Sequence, residues 1–239
     1  MKVINVGMPR SGTKAIAILF KRLGVNSHHE MLPGPMNNES QFNEYDLLNP
    51  PGGLMRSLDA YNIKHENILN NDCHYIDSTW QKSSVIYLME KEMPSLRFTI
   101  IIRNISDCCN SLMNHRVKDG CKRRKKVITD IDYYANVWLK LYEFLYLQVK
   151  LMDAKPFIID FNRYINGELK DILFSMFNIE SNDNNNNIAE TVFSTKINTR
   201  GDYPKYDINR ELINKSLDIK DRLLKINKDS WITKERHHE

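Results

Sequence analysis

Short apolar runs alternate along the chain with longer stretches in which apolar residues recur every three or four positions. Val3, Ile4 and Val6 form the first run, closed by Gly7, and Pro9 and Gly12 then punctuate a turn. Ile16, Leu19, Phe20 and Leu23 follow at helical spacing until Gly24 ends the pattern, so the chain opens as strand, glycine-bearing loop and helix, the beginning of a βαβ unit. A second short strand is predicted over 25–29 and another near Tyr75 and Ile76. Prolines and glycines at 33, 35 and 50–53 mark a loop-rich stretch with one short helix between the two clusters. Phe98 to Ile102 is the clearest buried strand, following a helix-like segment that ends at Pro94. Four apolar residues around one threonine suit a parallel strand covered on both faces. A helix is predicted from about 107 to 115, a long one over 133–152, and a strand over 156–161. Strands alternating with helices in this way predict an α/β fold: three layers around a central parallel sheet of about five strands.

Length changes this picture little: 239 residues make one domain, read as 1–239, with no internal repeat. Two segments read as surface loops, a basic one at about 116–126 and an asparagine-rich one at about 181–187, and the C-terminal tail reads as mobile. A hydrophobic content of 41% with 27% charged residues argues against wholesale disorder, and a net charge of +4 suits an anionic ligand without demanding nucleic acid. The four cysteines, Cys73, Cys108, Cys109 and Cys121, contain no CxxC pair, which argues against a zinc site or a disulfide framework. With no leader or long apolar run in view, a cytoplasmic location and no membrane partner are expected.

The first loop reads Gly7-Met8-Pro9-Arg10-Ser11-Gly12-Thr13-Lys14. A glycine-bearing turn between strand and helix directs backbone N–H groups and the positive helix end at an anion, and Arg10, Ser11, Thr13 and Lys14 add donors. In isolation the segment reads equally as a plain βα turn with solvated basic side chains. Unlike an ATP- or GTP-binding P-loop, it has Thr13 and then Lys14 after Gly12, so both the phosphate lysine and the magnesium-binding hydroxyl are out of place. This is a loop for a phosphate, and it argues against a magnesium nucleoside triphosphate.

Gly-x-Pro-Arg-Ser-Gly-Thr after an N-terminal strand resembles the 5′-phosphosulfate loop of the sulfotransferases that use 3′-phosphoadenosine 5′-phosphosulfate (PAPS). The resemblance implies that Arg10 lies near the bridging oxygen of the donor and that Ser11, Gly12 and Thr13 hold its 5′-phosphate. Arg103, at the end of the buried strand, with Ser111 eight residues later, is similar to the family's 3′-phosphate site. The family usually has Asp and often Pro after that arginine, whereas Asn104 and Ile105 stand here. Lys196-Ile197-Asn198-Thr199-Arg200-Gly201, with Tyr203-Pro204, resembles the basic C-terminal loop that closes over the cofactor, so Lys196 and Arg200 are further candidates for the 3′-phosphate. The resemblance thus implies PAPS as donor, adenosine 3′,5′-bisphosphate as product and no metal.

Sulfuryl transfer needs an in-line acceptor, stabilisation of charge on the leaving phosphate and a base. Arg10 and Lys14 suit the leaving oxygen. For the base, Glu30 sits at the spacing of the family's glutamate-using, glycan- and tyrosyl-modifying branches, with His29 and then His28 behind it, and Glu39 and Glu44 in reserve. Trp80 is a candidate for stacking on adenine or an acceptor ring, but a partly buried tryptophan is the favoured reading. The five basic residues 122–126 read as a solvated loop or as a lure for an acidic acceptor. Rival readings are a nucleotide or nucleoside kinase of related fold and a non-catalytic module that binds a phosphorylated ligand or RNA. No interleaved aromatic–basic pattern supports RNA. The acceptor stays open among glycan, tyrosyl protein and small alcohol, as does the oligomeric state.

Overall fold

A computed structural model of the chain describes residues 1–29, 74–77, 86–119, 129–195 and 204–235. The described strands are β1 (Lys2–Val6), β2 (Ser27–His29), β3 (Tyr75–Asp77), β4 (Leu96–Ile102) and β5 (Phe157–Asp160). They form one five-stranded sheet in the order β2-β3-β1-β4-β5, and every pairing is parallel. The described helices are α1 (Thr13–Arg22), α2 (Ile86–Glu92), α3 (Ile105–Asp119), α4 (Ile131–Leu151), α5 (Phe161–Ile165), α6 (Lys170–Ser175), α7 (Asp183–Ser194), α8 (Arg210–Lys225) and α9 (Trp231–Glu235).

Two-residue alternation within the strands builds the three layers. Ile4, Val6, Phe98, Ile100, Ile102 and Ile158 face one core, shared with α2, α3, α4 and α8. Val3, Tyr75, Ile101, Phe157 and Ile159 face the other, shared with α1, α6, α7 and α9. Between them the buried Thr99 hydroxyl donates to Asn5 Oδ1 at 2.9 Å, tying β4 to β1 through side chains as well as backbone. The outer edge of β5 is covered by Asn227, whose amide accepts from the Ile158 N–H at 2.6 Å and donates to its carbonyl at 2.9 Å. That pairing leaves this edge closed to another strand.

Helix ends follow their sequence signals. Gly24 takes φ 83° after α1, its N–H reaches Lys21 O at 3.3 Å, and the Val25 N–H reaches Phe20 O at 2.9 Å, the double bond of a Schellman stop. Asp130 caps α4 by accepting from the Asp132 N–H at 2.9 Å. The asparagine-rich segment corrects an expectation: it is helical, not a loop. The Asn182 side chain accepts from the Asn185 N–H at 2.9 Å and caps α7, Asp183 complements the helix dipole, and Ala189 and Val192 are buried. Near the C-terminus α8 buries Ile219 and Leu223 in the first core, and residues 236–239 lie outside the described residues. Among the described residues no helix is long and apolar enough to cross a membrane.

From β1 the chain passes to the edge strand β2, comes back to β3 beside β1, and then crosses to β4 and β5 on the other side of β1. The strand order therefore switches between β1 and β4, and loops leaving their carboxyl ends diverge around a crevice, the place where open α/β sheets put ligands.

Candidate functional site

The loop after β1 is shaped by two glycines and a proline. A Cβ on Gly7 would lie 2.7 Å from the Ile101 carbonyl oxygen, so only glycine lets the chain leave β1 this close to β4. Met8 to Ser11 then form a turn closed by the Ser11 N–H to Met8 O at 3.1 Å. Pro9 holds its second position, and Arg10 holds the third at φ 72°. That left-handed position, of the type II kind, normally belongs to glycine; an arginine there is a strained residue of the sort that gathers at functional sites. Gly12, at φ 109°, occupies the N-cap of α1 with no side chain capping the helix. The first-turn N–H groups of a ten-residue helix thus face the crevice with no capping side chain beside them. Lys14 is exposed and Arg10 half-buried, whereas the side chains of Ser11 and Thr13 are buried.

Beneath the loop lies a polar floor. The buried Tyr142 hydroxyl, from the middle of α4, donates to the Ile101 carbonyl at 2.7 Å and accepts from the Met8 N–H at 3.3 Å. Burial pushes its ionisation well above the usual phenol range. Ser11 Oγ lies beside this hydroxyl but, among the described residues, makes no hydrogen bond of good geometry. The Cys108 thiol, at 3.5 Å from the Pro9 carbonyl, supports the turn from the α3 side. Burial raises that thiol to about 12, against the pull of the Arg103 and Arg10 charges.

The second sequence candidate converges on the first. Arg103 leaves the end of β4 and donates from one terminal nitrogen to the Arg10 carbonyl at 3.1 Å. Ser111, one and a half turns into α3, accepts from Arg10 Nε at 3.2 Å. Two arginines 93 residues apart in sequence, with a serine from the helix that follows the second, therefore share one cluster at the switch point. The Arg103 guanidinium lies over the Phe161 ring, 4.8 Å from its centre. At the side of the cluster, Asp160 ends β5 and pairs with Lys220 of α8 at 2.8 Å; both are largely buried, and Lys220 also reaches Asn104 Oδ1 at 3.4 Å.

The segment before α8 is fastened to the helix that carries Ser111. Asn110 accepts the Tyr206 N–H at 2.7 Å and donates to its carbonyl at 3.1 Å, and Asn114 donates to Pro204 O at 3.0 Å. Glu30, Lys196, Arg200, Glu39, Glu44, Trp80 and the basic run 122–126 lie outside the described residues. His29 ends β2 exposed, level with Asn5 across β3 and thus two strands from β1, or about 10 Å by ordinary strand spacing. His28, also exposed, contacts Asn26 Oδ1 at 3.1 Å. Tyr142, Phe161, Asn110 and Asn114 were not marked by the sequence. Each stands where an ordinary core or surface residue of a helix or strand end would, and only the fold gives it a place in the cluster.

No family description matches the chain, and no curated protein matches it in sequence. Solved structures do. A sulfotransferase domain from the curacin biosynthetic pathway superposes with a TM-score of 0.51 at 12% identity, covering 77% of this chain and 76% of its own. A sulfotransferase domain from the Synechococcus PCC 7002 olefin synthase aligns over 92% of this chain and 94% of its own, with a TM-score of 0.43 and 10% identity. The fold of this chain is that of a solved sulfotransferase domain, reached by a sequence with little residual identity to it.

Proposed function

We propose that the chain is a sulfotransferase that moves a sulfuryl group from PAPS to a hydroxyl or amine acceptor and releases adenosine 3′,5′-bisphosphate. The observation that carries this reading is the 3.2 Å contact between Arg10 Nε and Ser111 Oγ, which joins two strand-end anion loops into one basic cluster. A donor with phosphate on both the 3′ and the 5′ position of its ribose asks for two such loops. The shared fold supports the same reading.

In this assignment the uncapped first turn of α1 and the Gly7–Lys14 loop bind the 5′-phosphosulfate, and Arg103 with Ser111 takes the 3′-phosphate. The S–O bond to the donor phosphate breaks as the acceptor oxygen or nitrogen bonds to sulfur, and the acceptor proton passes to a base. Arg10 and Lys14 offset the charge left on the phosphate, a preorganised contribution of roughly 3 kcal/mol by analogy with an oxyanion hole. Lys196 and Arg200 are assigned to the 3′-phosphate as well, Glu30 is assigned as the base with His29 as its alternate, and no metal is required by the charge balance.

The test is transfer of radiolabelled sulfate from PAPS to pooled acceptors. The reading predicts labelled product with stoichiometric bisphosphate release, and Glu30→Gln lowers that turnover by about 10²–10⁴ without loss of nucleotide binding. Near-full turnover in Glu30→Gln passes the role to His29, and magnesium-dependent ATP turnover in place of sulfuryl transfer would turn the reading toward a kinase.

A further inference from the structure

Phe161 touches both halves of the cluster. It is the first residue of α5, immediately after β5, and its ring is half-buried. On one side it lies against Gly12: a Cβ there would fall 2.3 and 2.4 Å from two ring carbons, so the loop and the ring are in direct contact only because residue 12 has no side chain. On the other side it carries the Arg103 guanidinium at 4.8 Å. Its own position is fixed from below. Asp160, one residue earlier, is held by Lys220 at 2.8 Å and caps α5 by accepting from the Asn162 N–H at 2.9 Å.

Arg103 needs such a support. One terminal nitrogen is engaged by the Arg10 carbonyl, and Nε is buried with no hydrogen-bond acceptor among the described residues. Among the described residues no carboxylate pairs with it. What meets the guanidinium is the negative face of an aromatic ring, which attracts a cation yet leaves its in-plane donors aimed past the ring edge. A carboxylate in that place would hold the arginine more tightly but would compete with an anionic ligand for the same donors.

We infer that Phe161 is a positioning residue that sets the spacing between the Gly12 turn and the Arg103 guanidinium, and so tunes this site to ligands bearing phosphates on both the 3′ and the 5′ position of one ribose. This rests on the proposed assignment of the two loops to the two phosphates. The ring acts as a spacer: it keeps Arg103 from collapsing onto the loop that it otherwise contacts through the Arg10 carbonyl.

The experiment is calorimetric titration with adenosine 3′,5′-bisphosphate and with adenosine 5′-monophosphate, on the wild type, Phe161→Leu, Phe161→Tyr and Arg103→Ala. Phe161→Leu keeps apolar bulk and removes the aromatic face. It is expected to weaken the bisphosphate by about 3- to 30-fold, the span of a cation–π contact, and to weaken the monophosphate, which does not reach Arg103, by less, so that the preference for the bisphosphate falls. Phe161→Tyr retains the face and should restore the preference, which a purely structural role at the α5 start does not predict. Equal weakening of both nucleotides, or an unchanged preference in Phe161→Leu, overturns the inference. Arg103→Ala separates the two layers of the argument. If it abolishes the preference and Phe161→Leu does not, the spacer role alone is wrong; if it too leaves the preference intact, the phosphate assignment of Arg103 fails and the inference with it.

Discussion

The loop after β1 and the loop after β4 face the same crevice but are held in opposite ways. The first carries its shape within itself. Gly7 passes Ile101 closely, Pro9 and the left-handed Arg10 make the turn, and Gly12 opens α1. The second has no such local instruction, since Arg103 is placed by the Arg10 carbonyl and by Phe161, residues far from it in sequence. A loop of the first kind fails when its own glycines change, and one of the second kind fails when its neighbours do. The contact between Arg10 Nε and Ser111 Oγ is where the two meet, so the first loop also sets the charge that the second must work beside.

The comparison breaks most sharply at Gly12. Gly12→Ala would carry a Cβ into the Phe161 ring at φ 109°, so both the turn and the ring must move. Backbone strain of this kind is worth about 1–3 kcal/mol before the clash is counted. We expect bisphosphate affinity to fall by at least about 100-fold, an energy near 2.7 kcal/mol. An affinity within threefold of wild type, read by calorimetry, would show that the loop is not self-shaped after all.

Next in size is Arg103→Ala, which removes a charge-assisted contact worth about 1.5–3 kcal/mol. Affinity for the 3′,5′-bisphosphate should fall by the corresponding 10- to 100-fold or so, with the monophosphate nearly unchanged. Ser111→Ala should act in the same direction and less. Parallel losses for both nucleotides would mean that the second loop does not read the 3′ end.

Tyr142→Phe asks how far the first loop depends on its floor. The Met8 N–H and the Ile101 carbonyl lose a buried partner, which should lower unfolding stability by about 1–3 kcal/mol in a denaturant titration. If the loop is shaped mainly by its own residues, nucleotide affinity should fall by less than in Gly12→Ala. The reverse ranking would transfer control of the loop to α4.

The smallest effect at neutral pH concerns Cys108, whose thiol is raised from an ordinary value of 9.0 to about 12 by burial. The folded protein holds this proton where the unfolded chain releases it. Stability from this group is therefore complete below pH 9.0 and declines as pH rises from there toward about 12. At neutral pH a thiol reagent should modify Cys108 only at the rate of unfolding, and rapid labelling of the native protein would show that the turn above it opens.

How much of this was legible follows from where each signal is stored. Buried parallel strands leave continuous apolar runs, so Phe98–Ile102 and the 157–160 strand stand out, and the predicted five-stranded parallel sheet is found. The glycines and proline of the first loop speak for themselves for the same local reason. Arg103 and Ser111 were legible only as a spacing, and their convergence on Arg10 is a product of strand order. Tyr142 falls among apolar residues of a long helix and reads as core, because nothing local says that its hydroxyl will meet Met8. The left-handed conformation of Arg10 was hidden, since the pattern of a type II turn asks for glycine there. The asparagine-rich helix was missed because asparagine signals loop and cap alike, and here Asn182 is a cap.

The most direct test of the joined site is a pair of calorimetric titrations of the wild-type chain, one with adenosine 3′,5′-bisphosphate and one with ATP and magnesium. The account predicts tight one-to-one binding of the bisphosphate, with a rise in thermal midpoint corresponding to about 2.7 kcal/mol at 100 times its dissociation constant, and much weaker binding of the magnesium nucleotide. Equal affinity for the two, or preference for ATP with magnesium, would contradict it.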